Sequence, residues 1–208
     1  MEIKYFGNSC FRIKGKQMVL LTNPFEASVG IKLSGLVADI VCFSHKKESS
    51  LSSLVSKAVT RGEVFVIDAA GEYEVGGVFI MGIEAGATTL YVMTIDGLRL
   101  VFLGELKEKL TDKQIEEVDG ADLLFLPVGD KNLSLSAKQA VDVINQIEPK
   151  IIIPMAYKIP GLNLDLAPLD DFLKEMSLEE KKTPLEKLII SKDKLPLEKE
   201  VVVLNARS

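Results

Sequence analysis

The most constraining feature of this sequence is a nearly continuous apolar run at residues 38–43 (ADIVCF), which ends abruptly in the polar loop 44–50 (SHKKESS). A strand with so few polar residues needs cover on both of its faces. We therefore predict a buried strand inside a layered fold, with its polar loop at one edge. The segments that follow predict a helix over 51–59 and a second buried strand over 64–67.

The remaining strands are predicted from alternating apolar residues and from turn residues. Residues 2–5, 11–14 and 17–21 form an antiparallel opening, and two hairpins turn at Gly76-Gly77 and at Asp96-Gly97. Further strands are expected at 122–126, 150–153 and 201–204. These strands predict antiparallel sheets packed on each other and covered outside by helices.

Two helix starts carry capping boxes. Thr111 is followed three residues later by Gln114, and Ser136 by Gln139, so that a hydroxyl and an amide can satisfy the exposed backbone donors. Pro168 opens a third, amphipathic helix that ends near residue 176. The length of 208 residues predicts a single domain over 1–208.

Composition excludes several classes of function. The formal net charge is -5, so the chain lacks the basic field that binds phosphates, and we expect no nucleic acid partner. No apolar run approaches the ~20 residues needed to cross a bilayer, and we expect no signal peptide and no membrane partner. Cys10 and Cys42 lie in apolar segments, which indicates reduced thiols and a cytoplasmic protein.

Seven short motifs follow one another along the chain: 7–11 (GNSCF), 22–24 (TNP), the loop 44–50, 71–74 (GEYE), 103–105 (LGE), 126–129 (LPVG) and 153–157 (IPMAY). In this order they resemble the metallo-β-lactamase superfamily, in particular its compact group of L-ascorbate-6-phosphate lactonase-like proteins and metal-dependent hydrolases. The resemblance implies an α+β fold, a four-layer αββα sandwich. It also implies a metal centre at the loop 44–50.

Read residue by residue, the resemblance places metal ligands at positions that hold His45, Lys47, Ser49, Ser50, Glu105 and Ala156. His45, which is the sole histidine, and Glu105 can bind a cation, whereas a lysine ammonium has no free lone pair. A further family ligand lies in an extended loop, but here residues 84–88 (EAGAT) lead directly into the next strand. The resemblance therefore predicts the fold without the usual metal chemistry.

The polar side chains that remain at these positions form a predicted residual cleft: Asn8, Asn23, His45, Lys47, Glu105, Asp130 and Tyr157. His45 fits a hydrogen-bonded residue at a strand end better than a general base, because a lone imidazole without a nucleophile specifies no reaction. An acid/base pair of Glu105 with Glu48 stays open. We also expect the Lys47 ammonium to occupy the metal's place and to pair with Glu105, unless it extends into solvent.

Three functions are compatible with these residues. The first is a metal-free, catalytically inactive protein that acts as a binding or regulatory module, with a small polar ligand in the cleft. The second is a hydrolase of a phosphorylated or cyclic ester, of the lactonase or phosphodiesterase type, with no metal or with a single zinc or manganese at His45 and Glu105. The third is an interaction subunit that uses its outer surface. The number of metal ligands separates the first two, because catalytic zinc normally takes three protein ligands.

Overall fold

The computed structural model describes residues 1–34, 36–45, 64–130, 132–178 and 182–207. In chain order the strands are β1 (Glu2–Tyr5), β2 (Phe11–Lys14), β3 (Val19–Thr22), β4 (Ile40–Cys42), β5 (Phe65–Ile67), β6 (Gly71–Val75), β7 (Val78–Ala85), β8 (Thr88–Ile95), β9 (Leu98–Phe102), β10 (Leu123–Pro127), β11 (Ile151–Met155), β12 (Leu188–Ile189) and β13 (Glu200–Val201). The α-helices of the described ranges are α1 (Asp112–Val118), α2 (Ala137–Ile147) and α3 (Leu169–Glu175), and short 3-10 turns lie at Ala27–Val29 and Lys192–Lys194.

The strands form two sheets, one of six strands in the order β12-β1-β2-β3-β4-β5 and one of seven in the order β13-β11-β10-β9-β8-β7-β6. The prediction of antiparallel sheets is wrong, because both sheets are mixed. Strands β3, β4 and β5 run parallel to one another, as do β9, β10, β11 and β13. A parallel pair needs a long crossover connection, and α1 and α2 occupy the crossovers on either side of β10.

The main core lies between the two sheets. In β3 and β4, Leu20, Ile40 and Cys42 belong to this core, whereas Leu21 and Val41 belong to a second apolar cluster. Alternate residues of a strand point to opposite faces, so this central pair of strands is covered on both sides. The prediction of a strand buried on both faces is confirmed for Ile40–Cys42, which is shorter than the predicted 38–43.

The helices begin where the capping boxes predict. Thr111 Oγ1 accepts from the Gln114 N–H at 3.3 Å, and Ser136 Oγ accepts from the Gln139 N–H at 3.3 Å. Helix α2 buries Ala140, Val143, Ile144 and Ile147 in the main core and packs against α3, which follows Pro168 as predicted. The α+β sandwich with helices packed on the sheets is confirmed, and the predicted helix over 51–59 lies outside the described residues.

Both predicted hairpins are confirmed, since Gly76-Gly77 joins β6 to β7 and Asp96-Gly97 joins β8 to β9. The prediction that 64–67 is a buried strand is wrong in part. Strand β5 is the edge of its sheet, and Phe65 and Val66 are 44% and 42% exposed. Periodicity finds a strand but does not show whether the strand lies at an edge.

Candidate functional site

The carboxyl ends of the parallel strands meet at one edge of the sandwich. Strand β4 ends just before Ser44, and β9 ends just before Leu103 and Gly104. The Thr88 hydroxyl, at 3.0 Å, and the Thr89 N–H, at 2.6 Å, both donate to the Ser44 carbonyl. These bonds join the edge of the first sheet to the start of β8 in the second sheet.

A second link joins the two sheets at the same edge. The Ala156 N–H, directly after β11, donates to the Asn8 carbonyl at 2.7 Å, and the buried Tyr5 hydroxyl donates to the same carbonyl at 2.8 Å. Asn8 and Ala156 both have positive φ angles, 50° and 53°, and alanine adopts this conformation only at a cost in free energy. The backbone of Asn8 therefore positions the loop that follows β11.

A buried polar network lies beneath the edge. Asn23, 3% exposed, donates through Nδ2 to Ser44 Oγ at 2.7 Å and to Ser9 Oγ at 3.1 Å. Its Oδ1 accepts from the Ser44 N–H at 2.7 Å. An amide can donate and accept at once, so this neutral side chain satisfies both serines without placing a charge in the interior. Asn23 thus fixes the end of β4, from which His45 projects.

His45 and Glu105 are brought together at this edge, as the sequence predicted. His45 Nδ1 lies 3.5 Å from Glu105 Oε1, and the two side chains are 27% and 39% exposed. The distance is longer than an ordinary hydrogen bond, and it makes an ion pair when the imidazole is protonated. A pair this exposed contributes only about 0–1 kcal/mol to folding. Its position in a cleft is therefore better explained by function than by stability.

Two residues that the sequence analysis did not single out set this geometry. The Thr88 hydroxyl accepts from the Glu105 N–H at 3.3 Å while it donates to Ser44, so one side chain connects the backbones on both sides of the pair. Gly104 has a φ of 57°, and a Cβ there would lie 2.5 Å from Ser44 Cβ. Only glycine allows the two loops to approach this closely. Gly104 belongs to the motif 103–105, but no local pattern marks Thr88.

The pair opens into a cleft of about 430 Å³. The cleft is lined by His45, Ala85, Gly86, Ala87, Thr88, Glu105, Leu106, Lys107, Glu108, Lys109, Thr111 and Gln114. The Lys109 ammonium forms an ion pair with Asp142, with Nζ 2.8 Å from Oδ2, and this contact holds the pKa of Asp142 below its usual value. Clefts of this size, with a few polar groups on an apolar floor, are typical of sites for small molecules.

The other predicted cleft residues lie elsewhere or outside the described ranges. Asp130 is exposed in its own turn, where its backbone bonds to Leu133 and Leu135. Tyr157 is buried and lines a separate groove, where burial raises its pKa to about 12. Tyr157 is not among the described residues that line the His45 cleft, and its place in the predicted cleft stays a prediction. Lys47 and its expected pair with Glu105 lie outside the described residues.

The described residues of this edge do not by themselves fit a catalytic zinc site. Within the described ranges no three His, Cys, Asp or Glu side chains cluster, and His45 with Glu105 supplies two donors. In the segment 46–50, outside those ranges, Glu48 is the one residue of a type that commonly binds zinc. The hairpin between β7 and β8 turns at Gly86 and Ala87, so the extended ligand loop expected from the resemblance is absent from this connection. Ala156 offers no side-chain donor.

The two packed sheets with helices outside define a metallo-β-lactamase-type sandwich, and the His45 cleft lies at its strand ends. The family model described as a beta-lactamase superfamily domain matches residues 2–156. The chain therefore belongs to the β-lactamase superfamily, as its motifs predicted.

Two curated relatives and one solved structure are similar over most of the chain. A UPF0173 protein of Pyrococcus abyssi is 24% identical over 182 residues, which cover 77% of this chain and 85% of that protein. A UPF0173 metal-dependent hydrolase of Listeria innocua is 24% identical over 195 residues, which cover 76% and 85%. A Thermotoga maritima protein assigned as a zinc-dependent hydrolase of the metallo-β-lactamase superfamily is 33% identical, with a TM-score of 0.81 and 98% of each chain covered.

Within the described ranges, no helix is both long enough and apolar enough to cross a bilayer.

Proposed function

We propose that this chain is a ligand-binding member of its superfamily whose metal centre has been replaced by the pair of His45 and Glu105. A small polar molecule would bind in the adjoining cleft. The observation that carries the proposal is the contact of 3.5 Å between His45 Nδ1 and Glu105 Oε1, at an edge where the other described positions of the family's ligands hold no metal-binding side chain.

The electrostatics of the edge support a site without a dication. Asn23 is neutral and satisfies its neighbours by hydrogen bonds alone. A buried carboxylate without a cation would be costly, and an amide removes that cost. The exposed carboxylate of Glu105 instead has the imidazole of His45 beside it.

The walls of the cleft suggest the kind of ligand. Glu105 and Glu108 can accept hydrogen bonds, and Lys107, Thr111 and Gln114 can donate them. Between these polar groups the cleft presents the apolar surface of Ala85, Ala87 and Leu106. A compact molecule with several hydroxyl or amine groups matches such a lining better than an extended apolar one.

A hydrolase is the second candidate, and the names of the relatives favour it. The Listeria innocua protein is called a metal-dependent hydrolase and the Thermotoga maritima protein a zinc-dependent hydrolase. His45 and Glu105 are of the two donor types that a single zinc or manganese would use, and a metal held there would act as a Lewis acid toward an ester. Two donors fall short of the three that a catalytic zinc takes, so this function ranks second.

Hydrolysis assays separate the two functions. The purified chain is incubated with bis(p-nitrophenyl) phosphate or with a γ-lactone, in the presence of zinc, manganese or iron. We expect rates equal to those of buffer that contains the same metal. Activity that rises with one metal and is lost in both His45→Ala and Glu105→Gln would establish the hydrolase. Lys113→Gln is the matched control, because Lys113 is an exposed helical residue that does not line the cleft.

A further inference from the structure

A second groove, which shares no lining residue with the His45 cleft, is lined in part by the loop that follows β11. Its volume is about 410 Å³, and it is lined mainly by apolar side chains: Ile31, Tyr157, Ile159, Pro160, Leu169, Pro184, Val203, Leu204, Asn205, Ala206 and Arg207. Ile31, Tyr157 and Leu204 are more than 90% buried. The groove thus has a firm apolar floor rather than a surface of loosely held side chains.

The wall that carries the polar residues is held by backbone hydrogen bonds on both sides. The Leu185 N–H donates to the Val203 carbonyl at 2.9 Å, and the Asn205 N–H donates to the Leu185 carbonyl at 2.9 Å. The Arg207 N–H donates to the Tyr5 carbonyl at 3.0 Å. This segment is therefore positioned before any ligand arrives, which lowers the entropic cost of binding.

Among the described residues of the lining, Arg207 alone is positively charged, and within the described ranges most of its donors have no acceptor at hydrogen-bond distance. Its Nε is enclosed, and no described residue accepts a hydrogen bond from it. Its Nη2 lies 3.9 Å from Glu186 Oε2, too far for a hydrogen bond, and Glu186 already accepts from Asn205 Nδ2 at 2.7 Å. A guanidinium has five donors in a fork that matches a carboxylate. The side chain is 40% exposed, so an incoming anion can reach it.

Tyr157 supplies a second donor with spare capacity. Its hydroxyl lies 3.4 Å from the Leu204 carbonyl, a long distance for a bond between two oxygens. A tyrosine phenol is protonated at neutral pH and so remains a donor, and burial raises its pKa further. The floor of the groove therefore presents an O–H beside the apolar surface, and the rim presents a cation.

We propose that this groove binds a small organic carboxylate, with its anionic head against Arg207 and its apolar body along Ile31, Ile159 and Leu169. The lining is apolar except at Arg207, Asn205 and the Tyr157 hydroxyl, so a ligand with one charged end and one apolar end matches the groove. The proposal does not depend on the His45 cleft, and it holds whether or not the chain is a hydrolase.

Calorimetric titration of the full chain with octanoate tests the site. We expect saturable binding, and we expect 1-octanol, which has the same chain without the charge, to bind at least ~10-fold more weakly because a hydrogen bond to a charged group is lost. Octyl phosphate tests whether the head must be a carboxylate. Binding of octyl phosphate at least as tight as octanoate would overturn the choice of a carboxylate.

Two variants locate the site. Arg207→Gln should weaken octanoate binding at least ~10-fold. Arg12→Gln is the matched control, because the Nε of Arg12 is also enclosed without an acceptor among the described residues, but Arg12 does not line the groove. Ala206→Trp fills the groove from an exposed position and should abolish binding even if Arg207→Gln fails to fold.

Three results would overturn the proposal. They are no octanoate binding by the unaltered chain, equal losses in Arg207→Gln and Arg12→Gln, and binding that survives Ala206→Trp in a folded protein.

Discussion

Replacing Gly104 by alanine tests whether the loops of Ser44 and Glu105 are in direct contact. Gly104 has a φ of 57°, and a left-handed conformation costs an alanine about 1–2 kcal/mol. The added Cβ would also lie 2.5 Å from Ser44 Cβ, 2.8 Å from Ser44 Oγ and 2.9 Å from Thr88 Oγ1. Overpacking of this kind costs about 1–3 kcal/mol more.

Gly97 provides a control with nearly the same backbone conformation. Its φ is 78°, and a Cβ there would meet no atom within 4 Å. Both substitutions reduce the conformational entropy of the unfolded chain by the same amount, so this contribution cancels when the two variants are compared. The difference between the two variants therefore isolates the contact with Ser44 and Thr88, at about 1–3 kcal/mol.

Urea unfolding of the unaltered chain, Gly104→Ala and Gly97→Ala measures this difference. Thermal melts give an independent readout, because in a chain of this size a loss of 1 kcal/mol in unfolding free energy lowers the melting temperature by about 2–4 °C. Equal unfolding free energies for the two variants would refute the close approach of the loops. In that case Gly104 and Thr88 would not be what places His45 beside Glu105.

Three further predictions concern contacts near the two loops. Thr88→Val should lower the unfolding free energy by about 1–3 kcal/mol, because the Glu105 N–H loses its acceptor. Thr89→Val is the control, because the Thr89 hydroxyl makes no hydrogen bond among the described residues, and it should change the unfolding free energy by less than ~0.5 kcal/mol. Equal effects of the two variants in urea unfolding would contradict this prediction. Asn23→Asp should be least stable at neutral pH, because the new carboxylate is buried and burial raises its folded-state pKa. The variant should regain stability in acid, because protonation of the carboxyl removes the cost of burying a charge. Thermal melts between pH 4 and pH 7 that show no such gain would contradict a neutral interior. Lys109→Gln should return the pKa of Asp142 toward its usual value of 3.8. A carboxyl whose pKa is lowered in the folded state stabilises the fold above its usual pKa and loses this stabilisation as the pH falls, so the variant should lack this small pH-dependent stabilisation. An unchanged titration of the Asp142 carboxyl by NMR would rule out the Lys109 contact in solution.

Much of the fold could be predicted because its signals are local. The capping boxes at Thr111 and Ser136 and the turn at Gly76-Gly77 each depend on residues a few positions apart, and each is confirmed. The direction of strand pairing could not be predicted, since an apolar strand looks the same in a parallel or an antiparallel sheet. The exposure of Phe65 was missed because the sequence pattern of a strand does not show whether the strand lies at the edge of its sheet.

The candidate site was predicted in part. The motifs located His45 and Glu105, which the structure places in contact. The function of Thr88 could not be read from the sequence, because its hydroxyl connects residues that are 44 and 17 positions away. The second groove, which Tyr157 lines, could not be predicted, because residues from distant parts of the chain form it.

Zinc binding at equilibrium tests the central claim most directly. The unaltered chain, His45→Ala and Glu105→Gln are dialysed against buffered zinc, and the metal retained per chain is measured by elemental analysis. We expect much less than one zinc per chain, and we expect the same zinc content in the unaltered chain and in both variants. One zinc per unaltered chain, lost in both variants, would contradict it and would establish His45 and Glu105 as metal ligands.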